Sequence, residues 1–379
     1  MNRVVLGRCN TYEAAAVKDA IVRLLEPLGG IAAFISAGDR VLLKPNMLAA
    51  KNPDKAVTTH PAIVRAVAEL VREAGGIPLV GDSPGIGNFQ KVAERTGIAR
   101  AAQEGGAELA EFSGTVDVKG SGTFRLVTLA QTYWEADRII NLPKLKTHEM
   151  MTLTCAVKNL FGAVVGTAKA GWHLKAGASR EQFAQLLLEI YLLKKPELTI
   201  VDAVVAMEGD GPGSGDPVHL GALIAGVNPV AVDTVAARLA GLPPELLPVE
   251  SAAARMGLAG ASLEEVLLAG TPLEELFQRP FALPGGLDTQ FGLPKFLSSL
   301  LKRQLTSFPE ADKKRCVLCG ACRDACPPEA ITIKKSALIV DQERCIRCWC
   351  CRELCPHDAM ALKRSLLLRL ASTLAGTAR

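Results

Sequence analysis

Cys316-Val317-Leu318-Cys319-Gly320-Ala321-Cys322-Arg323-Asp324-Ala325-Cys326-Pro327 places four cysteines at the spacing C-x2-C-x2-C-x3-C and closes them with a proline. The same spacing returns at Cys345, Cys348, Cys351 and Cys355, followed by Pro356, so the second run repeats the first at an offset of 29 residues, from 316 to 345. Nine of the chain's eleven cysteines lie between Cys316 and Cys355. Cysteine at every third residue lets one short loop wrap three thiolates around a metal assembly while the fourth leaves toward the other half. The duplication predicts a small pseudo-twofold α+β module, with short helix or strand pieces over 330–334 and 359–363.

These runs resemble bacterial two-cluster ferredoxins over about 65 residues. The resemblance implies two [4Fe-4S] clusters with crossed ligands: Cys316, Cys319, Cys322 and Cys355 for one, Cys345, Cys348, Cys351 and Cys326 for the other. Zinc is the alternative that paired CxxC motifs always raise, and clusters kept only for folding are a second. Cys350 stands where the first repeat has Ala321, and Trp349 where it has Gly320. As the neighbour of Cys351, its thiol reads as a bystander or N–H···S neighbour; a redox or sulfur-transfer role is the sharper reading. Cys9 and Cys155 read as small buried hydrophobes.

Outward from the module the composition is bland. The 379 residues carry 43 Lys or Arg against 39 Asp or Glu, which gives no case for nucleic acid. The N-terminus has no apolar signal core, and no run of about 18 uncharged apolar residues occurs, so no integral membrane segment is expected. Clustered CxxC spacing in a large chain fits a reducing compartment, and the cytoplasm is the expected location. Residues 313–379 are basic, with 13 Lys or Arg against 6 Asp or Glu, a surplus that two oxidised clusters would cut by about four charges. Such a module is expected to dock on its own large domain or on an acidic redox partner protein. Residues 363–370 form a short basic amphipathic pattern, read as packing on the protein, with a membrane-surface contact as the alternative.

Residues 1–270 alternate β-branched runs with helical periods, which predicts an α/β layered domain with a mainly parallel sheet. Strands are expected over 4–6, 40–43, 78–81, 138–141, 198–201 and 220–225, and helices over 13–28, 61–74, 89–96, 180–193 and 229–240. Residues 271–312, with five prolines and an amphipathic stretch at 295–305, read as a packed linker. The ferredoxin module then spans 313–365, and 366–379 is a tail.

No GxxxxGK[ST] is present, and no GxGxxG follows a strand convincingly, so Walker and Rossmann chemistry are not expected. Four polar, glycine-bearing segments remain. Lys44-Pro45-Asn46 follows a strand, with Thr59-His60-Pro61 opening the next helix. Gly81-Asp82-Ser83-Pro84-Gly85-Ile86-Gly87 could turn backbone N–H groups onto an anion, or be an ordinary capped turn. In the segment 141–148, Lys144, Lys146 and His148 share a face if extended, and Lys158, Asn159, Lys169 and His173 follow. This suggests a cationic pocket for an anionic small-molecule substrate, a solvated basic edge being the plainer reading. Glu208, Gly209 and Gly211 belong to a glycine-rich loop behind a buried strand. Glu208 is a candidate base, or the ion-pair partner of a lysine.

Together Lys44-Pro45-Asn46, Thr59-His60-Pro61, Gly81-Asp82-Ser83-Pro84-Gly85, the segments 141–148, 157–162 and 207–212, and Pro229-Val230-Ala231-Val232-Asp233 resemble the domain of unknown function numbered 362. That family occurs widely in anaerobic bacteria and archaea and is often fused to a two-cluster ferredoxin. The resemblance spans about residues 35–360 and implies no reaction. From the residues, the expected function is that of a ferredoxin-coupled oxidoreductase. Catalytic groups are expected at Glu208, His148 and Lys144, and substrate-binding groups at Lys44, Asn46, Ser83, Gly85, Lys146, Lys158, Asn159, Gly209 and Gly211. The alternative is an electron-transfer or maturation partner of another enzyme, with the α/β domain as a docking module. A non-redox isomerase or dehydratase is a third.

Overall fold

Val41 and Leu43 pack into one apolar core and Leu42 into another, the period-two alternation of a strand covered by helices on both faces. The computed structural model describes residues 2–363 except 86, 167, 177–178, 285–307 and 335–336. Its main element is a mixed, mainly parallel sheet of ten strands. In spatial order the path runs Val266–Gly270, Asn2–Arg8, Asp216–Gly226, Leu198–Glu208, Arg138–Leu142, Arg40–Pro45, Ile77–Val80 and Glu108–Leu109. Asp216–Gly226 runs against both its neighbours, and every other pair on the path is parallel.

Helices Ala14–Leu25, Pro61–Glu73, Phe89–Arg95 and Ile98–Gly105 cover one face. Arg180–Leu193, Pro229–Leu239 and Pro248–Arg255 contribute to the cores on the other. Pro61 stands in the first turn of its helix, as its fixed φ predicts, with the His60 ring accepting the N–H of Ala62. Two expected strands are longer than their apolar runs: 198–201 continues to Glu208, and 220–225 begins at Asp216. Their long antiparallel pairing supplies the extra ladder bonds.

Lys144–His148 adds to the sheet against Leu198–Glu208, and Thr152–Thr154 pairs with it in turn. These two strands, both fully buried, carry the longest polar motif of the sequence into the interior.

The cysteine region is built as the duplication predicts. Phe308–Ala311 pairs with Met360–Lys363, and Ile331–Lys334 with Ala337–Val340. One-turn helices stand at Ala321–Asp324 and Cys350–Glu353. Left-handed backbone recurs at Leu318 and Arg347, Gly320 and Trp349, and Glu329 and Asp358, so each half bends at equivalent positions. Strand Phe308–Ala311, which precedes Lys313, holds no cysteine and left no mark in composition. Residues 271–284 pack on the α/β domain through buried Leu276 and Phe281. The amphipathic stretch at 295–305 and the tail lie outside the described residues, as does all of 363–370 beyond Lys363.

Candidate functional site

The site is built where parallel strands end. After Arg40–Pro45 the chain turns at Asn46, whose N–H is accepted by Thr59 Oγ1 at 2.8 Å, while the Thr59 hydroxyl donates to Leu142 O at 2.6 Å. After Ile77–Val80 comes Asp82, which accepts Met47 N–H at 2.9 Å and pairs with Lys44 Nζ at 2.8 Å. Asn159 joins the strand ends. Its amide donates to Lys44 O and Asn141 Oδ1 and its oxygen accepts from Asn46 Nδ2, at 2.8–3.1 Å.

Lys144, Lys146 and His148 do not form one open cationic pocket. All three are buried, each held by its own partners. Lys144 Nζ meets Asp202 Oδ2 at 2.8 Å and Tyr12 Oη at 2.9 Å. Lys146 Nζ meets Asn46 Oδ1 at 2.9 Å and Val57 O at 2.7 Å. Burial lowers the proton affinity of both ammonium groups, against which Asp202 supports the charge of Lys144. A lysine on a strand covered on both faces cannot reach solvent, so its charge must be met inside the fold.

Glu208, expected as a base, is instead bound to Arg279 at 2.7 Å and accepts Ala282 N–H at 2.8 Å. The Arg279 bond keeps its carboxyl below the ordinary range. The pairing partner is an arginine of the linker segment, not a lysine. Gly209 donates to Ala282 O, and Gly211 lies against Thr147 O, where a Cβ would not fit. This loop holds other parts of the protein; Gly209 and Gly211 do not line the cavity described next.

That cavity, of about 480 Å³, opens between the α/β domain and the cysteine module. Asn46, Ser83, Gly85, Lys158 and Asn159 line it, whereas Lys44, Lys144, Lys146, His148 and Glu208 do not. Lys169 and His173 join from the α/β side, and Cys326, Cys350 and Glu353 from the module. Lys169 Nζ donates to Ser83 O, and burial brings its ammonium down to about 8. Burial also lowers Lys158, an effect that nearby Glu353 opposes. His173, stacked on Phe183, is pushed down to about 4 by burial and is neutral.

His148 acts behind the cavity wall. Its Nδ1 accepts the N–H groups of Met150 and Met151 at 3.0 and 3.1 Å, so the neutral ring carries its proton on Nε2, which faces Glu353 Oε1 at 2.9 Å. Burial lowers His148 to about 4, which keeps the ring neutral. The ring therefore orients Glu353. Three other contacts seat the module: Lys51 with Asp358 at 2.7 Å, Ser214 with Asp358 at 2.8 Å, and Arg352 between Glu149 and Asp210. Trp349, at the left-handed turn, packs into the core of the α/β domain.

Two small hollows lie within the module. Cys316, Cys319, Cys322 and Cys355 line one, and Cys326, Cys345, Cys348 and Cys351 the other. Cys326 and Cys355, the two that cross between halves, accept equivalent N–H···S bonds from Ala330 and Ala359, both at 3.2 Å. Four convergent thiols with backbone donors on sulfur fit a four-iron cluster in each hollow.

A family model described as a domain of unknown function, DUF362, matches residues 41–238, and one described as a 4Fe-4S dicluster domain matches residues 315–359. The chain is also 41% identical over 300 residues to the thylakoid-associated protein of Synechocystis sp., covering 79% of this chain and 93% of that protein. The chain belongs to the DUF362 family. Its C-terminal dicluster domain makes this DUF362 protein an iron-sulfur, electron-transfer protein with two [4Fe-4S] clusters. Among solved structures, the lactate racemase apoprotein from Thermoanaerobacterium thermosaccharolyticum matches with 12% identity and a TM-score of 0.37, over 59% of this chain and 54% of that chain. Among the described residues no helix is long and apolar enough to cross a membrane.

The cavity draws on both matched segments. Glu353 was not among the residues singled out from sequence, and its one local signal is the repeat, where it takes the place of Asp324. Both line the cavity.

Proposed function

We propose that this DUF362 protein is a ferredoxin-coupled oxidoreductase that acts on a small anion held between its two parts. The observation that carries this reading is the cavity itself, whose walls bring Lys158 and Lys169 opposite Cys326 and Cys350. Cys316, Cys319, Cys322 and Cys355 hold one cluster, and Cys326, Cys345, Cys348 and Cys351 the other. When bound, each cluster takes up and gives back one electron.

The chain's own residues do the rest. Lys158 receives the anionic group, with Asn46, Asn159 and Ser83 as hydrogen-bonding neighbours. Lys169, at about 8, is matched to proton exchange near neutral pH. Glu353, oriented by His148, balances the charge of Lys158 between turnovers. The apolar side, with Leu48, Pro84 and Leu354, excludes water from the remainder of the ligand. The 81–87 loop contributes Ser83, Gly85 and Gly87 to the cavity wall, while the 207–215 loop is used to seat the module. The thylakoid association in the name of the Synechocystis relative supports a second arrangement, peripheral attachment to a membrane-bound electron-transfer system.

The test is a thermal-shift screen of anaerobically purified, cluster-loaded protein against short-chain and aromatic carboxylates and phosphate esters. Hits are then tested for reoxidation of the dithionite-reduced clusters, followed by visible absorbance. Ligands that stabilise wild type but not Lys158→Ala, and that reoxidise the clusters, are the expected result. A screen in which no anion separates the two proteins would overturn the proposal.

A further inference from the structure

The two cysteine sets differ in their surroundings. Each set has two buried cysteines, Cys348 and Cys351 in one and Cys322 and Cys355 in the other, but Cys326 lines the cavity, so the set that includes it faces the α/β domain. The other set contains Cys319, which is exposed at the surface. Beside it Val317, 60% exposed, is the most exposed of the large hydrophobic residues described.

The charge around this point has one dominant sign. Lys313, Lys314 and Arg315 precede Cys316 and are all exposed, and the Arg323 guanidinium lies over Gly320, next to Cys319. Two carboxylates are present as well. Asp312 caps Lys314 N–H and lies 3.8 Å from Arg315, and Asp324 pairs with Arg323 at 2.8 Å. Lys313 and Lys314 have no ion-pair partner among the described residues. Of the module's basic residues, Arg352 is the one that helps to hold it in place among the described ion pairs. Among the described residues, the ion pairs between module and α/β domain use Asp358, Glu353 and Arg352.

We infer that the surface formed by Lys313, Lys314, Arg315, Val317, Cys319 and Arg323 is the docking site for a small acidic one-electron carrier protein. It rests on the module's electron-transfer role and does not depend on any substrate in the cavity. An exposed apolar centre within a basic rim suits a transient protein contact, in which charge steers the encounter and the buried area stays small. A membrane surface suits it less, because a single exposed valine on a loop lacks the broad apolar face of an interfacial helix. The exchange is one electron, lost by one protein and gained by the other, with no bond or proton moved. The outer cysteine set then meets the carrier while the inner set meets the cavity.

The full chain, loaded with both clusters, is titrated calorimetrically with an acidic plant-type [2Fe-2S] ferredoxin. Binding should weaken about 10-fold or more between about 50 and 300 mM salt, as expected for a screened charge contact. Lys313→Glu/Lys314→Glu should weaken it by about the same factor with both clusters intact by electron paramagnetic resonance, because two favourable charges become two unfavourable ones. Arg323→Glu, outside the 313–315 turn, should weaken it as well, and Lys119→Glu on the α/β domain should leave it unchanged. Salt-independent binding, or variants that bind as wild type does, would refute the inference. So would charge-dependent binding to vesicles of anionic phospholipid without binding to the ferredoxin. Substrate screening is separate from this titration, so failure of the cavity proposal leaves the docking result standing.

Discussion

Glu353 shows how much one side chain's role depends on its acceptor. The His148 ring cannot turn, because Met150 and Met151 occupy Nδ1, so its Nε2–H must find an oxygen in a buried site. Glu353→Gln keeps an oxygen there and should cost within about 1 kcal/mol. Glu353→Ala strands a buried donor and should cost about 1–3 kcal/mol. Anaerobic thermal melts of the two variants check this, and equal losses would mean that His148 does not depend on residue 353. Glu353→Gln also removes the carboxylate beside Lys158, so any anion that the screen finds should bind this variant more tightly than wild type.

At the scale of elements, the turn at Leu160–Ala163 passes so close to the strand ends that only glycine fits. A Cβ at Gly162 would fall on Asp82 Oδ1 and Lys44 Nζ, a pair that is almost wholly buried. Gly162→Ala must therefore break or displace that pair and should cost about 3–5 kcal/mol. Gly171, in helix Ala168–Lys175, is the contrast, since nothing among the described residues stands within 4 Å of its Cβ position. Gly171→Ala should stabilise by up to about 1 kcal/mol through helix propensity alone. Melting temperatures that move in opposite directions for the two alanines are the expected outcome. Of these features, the strand before Lys44 was legible in sequence because a strand buried on both faces must be apolar. The close approach at Gly162 was not, because the atoms it meets come from segments about 80 and 120 residues away.

At the scale of the whole molecule one part of the pH response comes from three histidines, of which His148 and His173 are buried and His60 partly so. His60, His148 and His173 are each held at about 4 by burial, against 6.5 when free. The unfolded chain therefore binds protons first as pH falls through 6.5. The stability these histidines contribute is full above that value and is lost between about 6.5 and 4, by on the order of 2–3 kcal/mol per histidine, while Asp233 and Glu250, raised by burial to about 7 and about 8, act in the opposite sense. His60→Asn keeps a helix cap and removes one titrating group. Its melting temperature should fall less steeply than wild type from pH 7 to 5, with clusters monitored by absorbance. Parallel slopes would rule out the His60 contribution. Lys169 is a cavity group that titrates near neutrality, and anion binding that draws on its charge should weaken as pH rises through about 8.

The module, its two clusters and the α/β class could be read from sequence by itself, because cysteine spacing and strand periodicity are local: every loop that wraps a cluster lies within a dozen residues. The same reading put five of the nine expected substrate residues where the cavity lies: Asn46, Ser83, Gly85, Lys158 and Asn159. Tertiary structure alone decided the fate of the other charges. Lys144 meets Asp202, 58 residues away, and Glu208 meets Arg279, 71 residues away, whereas Lys158 keeps a place on the cavity. Whether a buried ammonium is neutralised or left for a ligand depends on which carboxylate the fold brings within about 4 Å, and that distance is not encoded by neighbours in the chain.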